Sequence, residues 1–492
     1  MGFGTRKFWV FVASIGVTMA LSACSADQGG KTPAAADNAS AAQQETPPPS
    51  LVDDDTGRGL LQQLSGEDSV DVVIGDDNDV RFQEHARKAV QLKAALVTPT
   101  DGAGATTMAD EMKKDYSVIA TEKLDDVQLE NPTEQAVTPA NLLHGYKPTI
   151  NDTVVVLGKD ASLANVVTAM AHGVRIELLP VSDVRASASV MKQVAEPKNL
   201  TIIAAGSDFG GSAGLEKQLS LAKAGPVPGG ETGLVFPGRR MVALYGHPSG
   251  PALGAMGEQN PEEAVHRVED LVRQYQEASL DKDNGYVPAF EIIATVASSS
   301  AGDDGDYSNE SKVEDLKPYV DAIGAAGGYA ILDLQPGHAS FLDQAKRYQE
   351  LLELPHVGLA LDPEWKIKPD ERPLARVGNT TSAEIDEVSD WLAQLVREKN
   401  LPQKILILHQ FQVAMIEGRE NMNVNHPELA FVLHADGHGT PEQKFDTWNT
   451  LREGLQPEIF LAWKNFIDED TPMFDPVQTT QIDPQPWFVS YQ

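Results

Sequence analysis

The stretch Gly358–Trp365, GLALDPEW, decides the fold. Four apolar residues run straight into Asp-Pro-Glu, the way an inner strand of an α/β barrel meets its C-terminal mouth, where such barrels keep their chemistry. In an extended chain Asp362 and Glu364 stand two apart and point to the same side. That pairing suits acid–base work on a glycosidic bond, and it suits the capping of a strand end equally well.

Further apolar runs surround this one. Met241–Tyr245, Ala289–Ala297, Tyr329–Leu334, Val357–Leu361, Lys404–Leu408, Leu429–Leu433, Ile459–Ala462 and Trp487–Tyr491 make eight candidate strands. Between them lie amphipathic stretches: Glu262–Ala278, Val313–Ala325, Ser340–Leu352, Ser382–Lys399 and Pro441–Leu455. Strands alternating with helices over residues 240–492 predict a (β/α)8, TIM-like barrel. The residues just past each strand should then gather at one mouth, and they are almost all polar or aromatic. Carboxylates suited to catalysis are Glu364, Asp362, Asp333 and Asp436. Side chains suited to holding a substrate are His247, Gln335, Trp365, His409, Gln410, His434, Trp463 and Tyr491. Tyr245 and Lys464 occupy equivalent positions.

Acids beside aromatic rings fit a sugar, with a general acid, a nucleophile or electrostatic stabiliser, and flat faces for stacking. The Asp-x-Glu at the end of the central strand resembles the strand-end carboxylates of lysozyme-type muramidases and chitinase-like barrels. That resemblance implies Glu364 as proton donor and Asp362 as its electrostatic neighbour. The departures are Pro363 between the two, the missing chitinase-type run of alternating aspartates, and a first strand without an acid. The barrel as a whole resembles an uncharacterised family of secreted bacterial proteins, which implies no activity.

A second chemistry is metal-assisted hydrolysis, because His434-Ala435-Asp436-Gly437-His438 sets two imidazoles and a carboxylate within one loop. Mononuclear barrel hydrolases open with His-x-His on the first strand, whereas Tyr245-Gly246-His247 supplies one histidine. No residue is assigned as a metal ligand. The acidic loop Asp303–Asp306 has Ser311 where a calcium loop needs its bidentate Glu. No cofactor is expected, since Gly75 and Gly158 end strands without a G-x-G-x-x-G or a P-loop Lys.

The N-terminal half has a different pattern. Strand and helix signals at Val70–Gly75, Phe82–Leu92, Ala94–Thr98, Thr106–Lys114 and Tyr116–Thr121 recur at Thr153–Gly158, Leu163–His172, Val174–Leu179, Val184–Val194 and Leu200–Gly206. The expectation for residues 51–208 is therefore a duplicated βαβαβ parallel-sheet module. Through Val154–Gly158, Leu163–Ala171 and Leu178–Pro180 it resembles the cell-wall-binding repeat type 2 modules of Gram-positive surface proteins, which implies non-covalent adhesion to wall polymer. Residues 209–239 are expected to be a linker, in which Gly210–Gly214 matches the G-x-S-x-G pattern but is expected to be a helix entry around Ser212.

Residues 1–23 carry the marks of an export signal: Arg6-Lys7, an apolar run from Phe8 to Leu21, then Leu21-Ser22-Ala23-Cys24, which resembles the bacterial lipoprotein processing box. Lipidation of Cys24, the single cysteine, leaves no thiol for a disulfide or for catalysis. Residues 24–50, rich in Ala, Gln, Ser and Pro, are expected to form a disordered stalk. A net charge of −33, from 72 acidic against 39 basic residues, argues against nucleic acid and anionic lipid surfaces as partners.

The combined expectation is a lipid-anchored protein on the outer face of the cell membrane of a Gram-positive bacterium, attached by its acyl chains only. Its partner is an envelope polysaccharide or peptidoglycan, and its barrel has the carboxylates to hydrolyse a glycosidic bond. The alternatives are a non-catalytic wall-binding protein and a metal-dependent hydrolase built on the mouth histidines.

Overall fold

The computed structural model describes residues 48–66, 70–100, 104–129 and 137–492. The export signal, Cys24 and nearly all of the expected stalk lie outside the described residues. Among those described, no helix is long and apolar enough to cross a membrane.

Eight strands close into an all-parallel barrel: β1 (Arg239–Gly246), β2 (Gly285–Ala297), β3 (Tyr329–Leu334), β4 (Val357–Leu361), β5 (Lys404–Gln410), β6 (Leu429–Ala435), β7 (Phe460–Asn465) and β8 (Phe488–Tyr491). Closure comes from β8 pairing with β1, with Phe488 opposite Met241 and Tyr491 opposite Leu244. Each expected run became a strand. The helices are α1 (Pro261–Ala278), α2 (Val313–Ala325), α3 (Phe341–Arg347, followed by the single turn Gln349–Leu352), α4 (Ser382–Glu398), α5 (Pro441–Arg452) and the short α6 (Pro476–Thr480). Their starts are written locally. Asn260 caps α1 by accepting from the Glu263 amide at 3.0 Å, and Thr440 with Gln443 forms a capping box on α5. The β5–β6 connection carries two short turns of 3-10 helix and the two-residue strand Ile416–Glu417, which pairs with Thr380–Thr381, in place of an α-helix.

Alternation along each strand sorts the core into two layers. On β1, Val242 and Leu244 face outward to α1, in a continuous apolar layer with Phe290, Leu332, Leu359, Leu361, Trp448 and Trp463. Met241 and Ala243 face inward with Ala289, Ile331, Ala360, Ile407, Val432, Ala462 and Phe488. Small residues inside β4 reflect crowding rather than empty space. A Cβ on Gly358 would overlap the Ile405 side chain and stand 2.8 Å from its carbonyl oxygen. Val227, Val235 and Phe236, from the stretch before β1, join this inner cluster.

The N-terminal half holds two parallel sheets. In one, Thr153–Leu157 lies between Arg175–Leu178 and Thr201–Ala205, with Ser50–Val52 added outside Thr201–Ala205. In the other, Val72–Ile74 lies between Ala95–Val97 and Val118–Ile119. Each sheet thus keeps the first strand of its segment in the middle. Helix Gly211–Ala222 follows, so Ser212 lies in the first turn of a helix, in keeping with the expected helix entry.

Candidate functional site

Above the apolar interior, every strand of the barrel turns one polar side chain inward at or just past its C-terminal half. In chain order these are Tyr245, Glu291, Asp333, Asp362, His409, His434, Lys464 and Ser490, all buried. Three of them, Tyr245, Asp362 and Lys464, reach a cavity of about 400 Å³ at the barrel mouth, within the usual size range of small-molecule sites. Tyr245, Gln335, Asp362, Glu364, Trp365, Asp436, His438 and Lys464 line it, with Phe411 and Phe466 as further aromatic walls.

His409 is the centre of this buried polar layer. Its Nε2 lies 2.8 Å from Glu291 Oε1 and its Nδ1 lies 2.9 Å from Asp436 Oδ2, while Asp333 Oδ1 stands 3.9 Å from Nε2. Burial opposes charging of this ring, but Glu291, Asp436 and Asp333 together hold its pKa well above the imidazole range. With both nitrogens protonated, its Nδ1–H also faces His434 Nδ1 at 3.1 Å. His434 is pushed by burial down to about 3 and is neutral. Its Nδ1 therefore accepts, and its Nε2–H donates to Ser490 Oγ at 3.1 Å.

The carboxyls divide into two groups. Burial alone would raise Glu291, yet His409 outweighs it and holds the group down at about 2. Asp436 likewise is lowered against burial by its bond to His409. The others move the opposite way. Burial lifts Asp333 to about 6 despite the Tyr245 hydroxyl that donates to its Oδ2 at 2.9 Å. Burial and the neighbouring Asp333 lift Asp362 well above the carboxylate range. Glu364, in the cavity wall, is raised to about 7 by burial and by the charge of Asp436.

Asp362 also has a structural duty, since one of its oxygens accepts the Glu364 amide at 3.2 Å and caps the turn Pro363–Trp365. Beyond β4 the chain therefore bends, so the extended geometry assumed for Asp362 and Glu364 does not persist. Both carboxyls still reach the cavity.

Of the residues expected to hold a substrate, Gln335 and Trp365 line the cavity. His409 and His434 lie beneath it. Gln410, Trp463 and Tyr491 do not face it, which corrects the expectation for all three. Each follows an inward-facing neighbour and so points out of the barrel. Gln410 accepts from Arg419 at 3.1 Å, Trp463 stacks on Phe474, and Tyr491 shares a hydroxyl–hydroxyl bond with Tyr275 at 2.8 Å. His247 bonds Ser249 and Ser311 and is also outside the cavity lining. Glu291 was missed because it sits in mid-strand, although an acid inside the run Val287–Ile293 is itself a signal.

Neither a protein-family model nor a curated protein matches the chain.

Donor atoms of Glu291, His409 and His434 lie within 4.8 Å of one another, as do those of Asp304, Asp306 and Glu310 on the β2–α2 connection. The first set has ligand types suited to a transition metal. Both nitrogens of its His409, however, already face carboxylate oxygens, an arrangement that an imidazolium satisfies without a cation.

Proposed function

We propose that the barrel is a glycoside hydrolase of the bacterial envelope, with Glu364 as proton donor and Asp436 as its ionised partner. One observation carries this reading: two carboxyls in the same cavity wall are pushed in opposite directions, Glu364 up to about 7 and Asp436 below its ordinary value. Groups separated in this way by their surroundings divide into acid and base at one pH. The acidic resemblance at the end of β4 pointed to the same proton donor.

In the proposed reaction the Glu364 carboxyl gives its proton to the glycosidic oxygen as the bond from that oxygen to the anomeric carbon breaks. The Asp436 carboxylate stabilises the positive charge that develops on the sugar. Water then adds to the anomeric carbon and returns a proton to Glu364, so one water is consumed and two hydroxyl-bearing products leave. Trp365 and Phe466 offer faces for sugar rings.

The remaining features belong to the same proposal. A lipidated Cys24 and a stalk would hold the protein outside the cell membrane, and two related α/β units would adhere to wall polymer. The test is Glu364→Gln assayed for release of reducing sugar from purified Gram-positive wall fractions. Loss of about 10²–10⁴ in rate is expected for a general acid. Binding of wall polymer by the wild type without any product would leave an adhesin in place of the enzyme.

A further inference from the structure

Lys464 is the inward residue of β7, and only 4% of it is exposed. Its ammonium stands 3.7 Å from the centre of the Tyr245 ring and 5.2 Å from that of Phe466, and the residue lines the cavity. Among the described residues its Nζ makes no hydrogen bond and no ion pair, although its neighbour Lys444 is paired with Asp470 at 2.8 Å. The cavity acids Glu364 and Asp436 feel its charge without touching it. An ammonium held by ring faces in a cavity wall keeps its N–H donors available to whatever fills that cavity.

The nearby carboxyls feel its charge but do not pair with it: Asp436 and Glu291 each turn one oxygen to His409 and Asp333 turns one to Tyr245, while the second oxygen of each has no hydrogen-bond partner. Its free donors face the open side of the cavity, where a substrate would displace water. An anion there meets the cation directly; Glu364 and Asp362, both raised by burial, do not repel it while protonated, and the charge of Asp436 in the same wall is offset by its bond to His409.

We infer that Lys464 binds an anionic substituent of the substrate, so that the sugar entering this cavity carries a carboxylate or a phosphate rather than hydroxyls alone. The inference rests on the hydrolase reading for its sugar, but not for its anion. Lys464 is here a specificity-determining residue, and its contribution is a charge-assisted hydrogen bond.

The experiment is calorimetric titration of the full chain at pH 6 with sodium glucuronate, glucose 6-phosphate and glucose. One of the two anionic sugars should bind about tenfold or more tightly than glucose, the advantage of one charged hydrogen bond. Which of them does so identifies the substituent. The advantage should disappear in Lys464→Met and persist in Lys464→Arg, with folding of both checked by thermal unfolding. If Lys464→Met does not fold, the wild-type preference and its retention in Lys464→Arg decide. Equal binding of all three sugars, or an advantage that survives in folded Lys464→Met, overturns the inference. Hydrolysis of neutral glycan with no preference for acidic sugar also overturns it and leaves the hydrolase standing. Lysine-dependent anion binding with no hydrolysis of any wall glycan supports it and removes the hydrolase instead.

Discussion

His409 Nε2 lies 2.8 Å from Glu291 Oε1, with neither side chain exposed to solvent. The two come from β5 and β2, across the interior of the barrel rather than from adjacent strands. Such a pair is held by the closed ring of strands and in turn ties opposite walls together. Glu291→Gln keeps the shape and removes the charge, leaving the imidazolium with Asp436 as its one hydrogen-bonded acid and Asp333 at 3.9 Å. Breaking a buried pair from one side costs about 3–5 kcal/mol. The urea unfolding midpoint of Glu291→Gln should fall accordingly, and an unchanged midpoint would mean that His409 is not charged in the folded protein.

Asp333 makes stability depend on pH in the opposite sense to an ordinary paired acid. Its folded pKa is raised from 3.8 to about 6, so the folded state holds its proton where the unfolded chain has lost it. The stabilisation is therefore complete below the unfolded value and is lost as pH rises from about 4 to about 6. At 1.36 kcal/mol per pH unit this amounts to roughly 3 kcal/mol. Asp333→Asn cannot ionise, and its unfolding free energy should lack this decline. The comparison is urea unfolding of both proteins at several pH values across that window, and parallel curves would show that Asp333 is not held protonated.

Gly358, in the stretch that decided the fold, tests the packing instead of the charge. Ile405 from β5 fills the space where its Cβ would go, and Tyr329 from β3 closes the other side. Gly358→Ala should destabilise by about 1–3 kcal/mol, the range for overpacking a filled core. Thermal unfolding is the measurement. No loss would mean that the inner layer has slack which the wild-type packing conceals.

The barrel was legible in the sequence because each of its strands is a short apolar run bounded by turn residues, and eight such runs alternating with amphipathic stretches have few other solutions. The site was legible only in part. Choosing residues just past the strand ends found Asp333, Asp362, Glu364, His409 and Asp436, which the structure gathers at one mouth. The same choice ignored the two-residue alternation within each strand. Trp463 and Lys464 are adjacent, yet one packs against Phe445 and Phe474 outside while the other enters the cavity. Alternation anchored on Ala462 would have separated them. Glu291 needed the reverse inference, that a charge in a buried strand must have a partner, and the partner itself lies 118 residues away in sequence. No local pattern contains that pairing.

The pH dependence of hydrolysis follows from the two cavity carboxyls. Glu364 must hold its proton to protonate a leaving oxygen, so the rate should fall as pH rises through about 7. Asp436 must be ionised, and its lowered pKa places the acid limb below the ordinary carboxylate range, where the fold itself is losing the Glu291 and Asp436 interactions with His409. The profile should therefore be a plateau with a measurable alkaline limb. Glu364→Gln should abolish that limb together with the activity, whereas His438→Ala, in the same cavity wall, should leave its position unchanged. Dialysis against a chelator should leave the profile intact as well. An alkaline limb unaffected by Glu364→Gln in the residual activity, or a rate that vanishes with chelator, would transfer the chemistry to the Glu291, His409 and His434 corner.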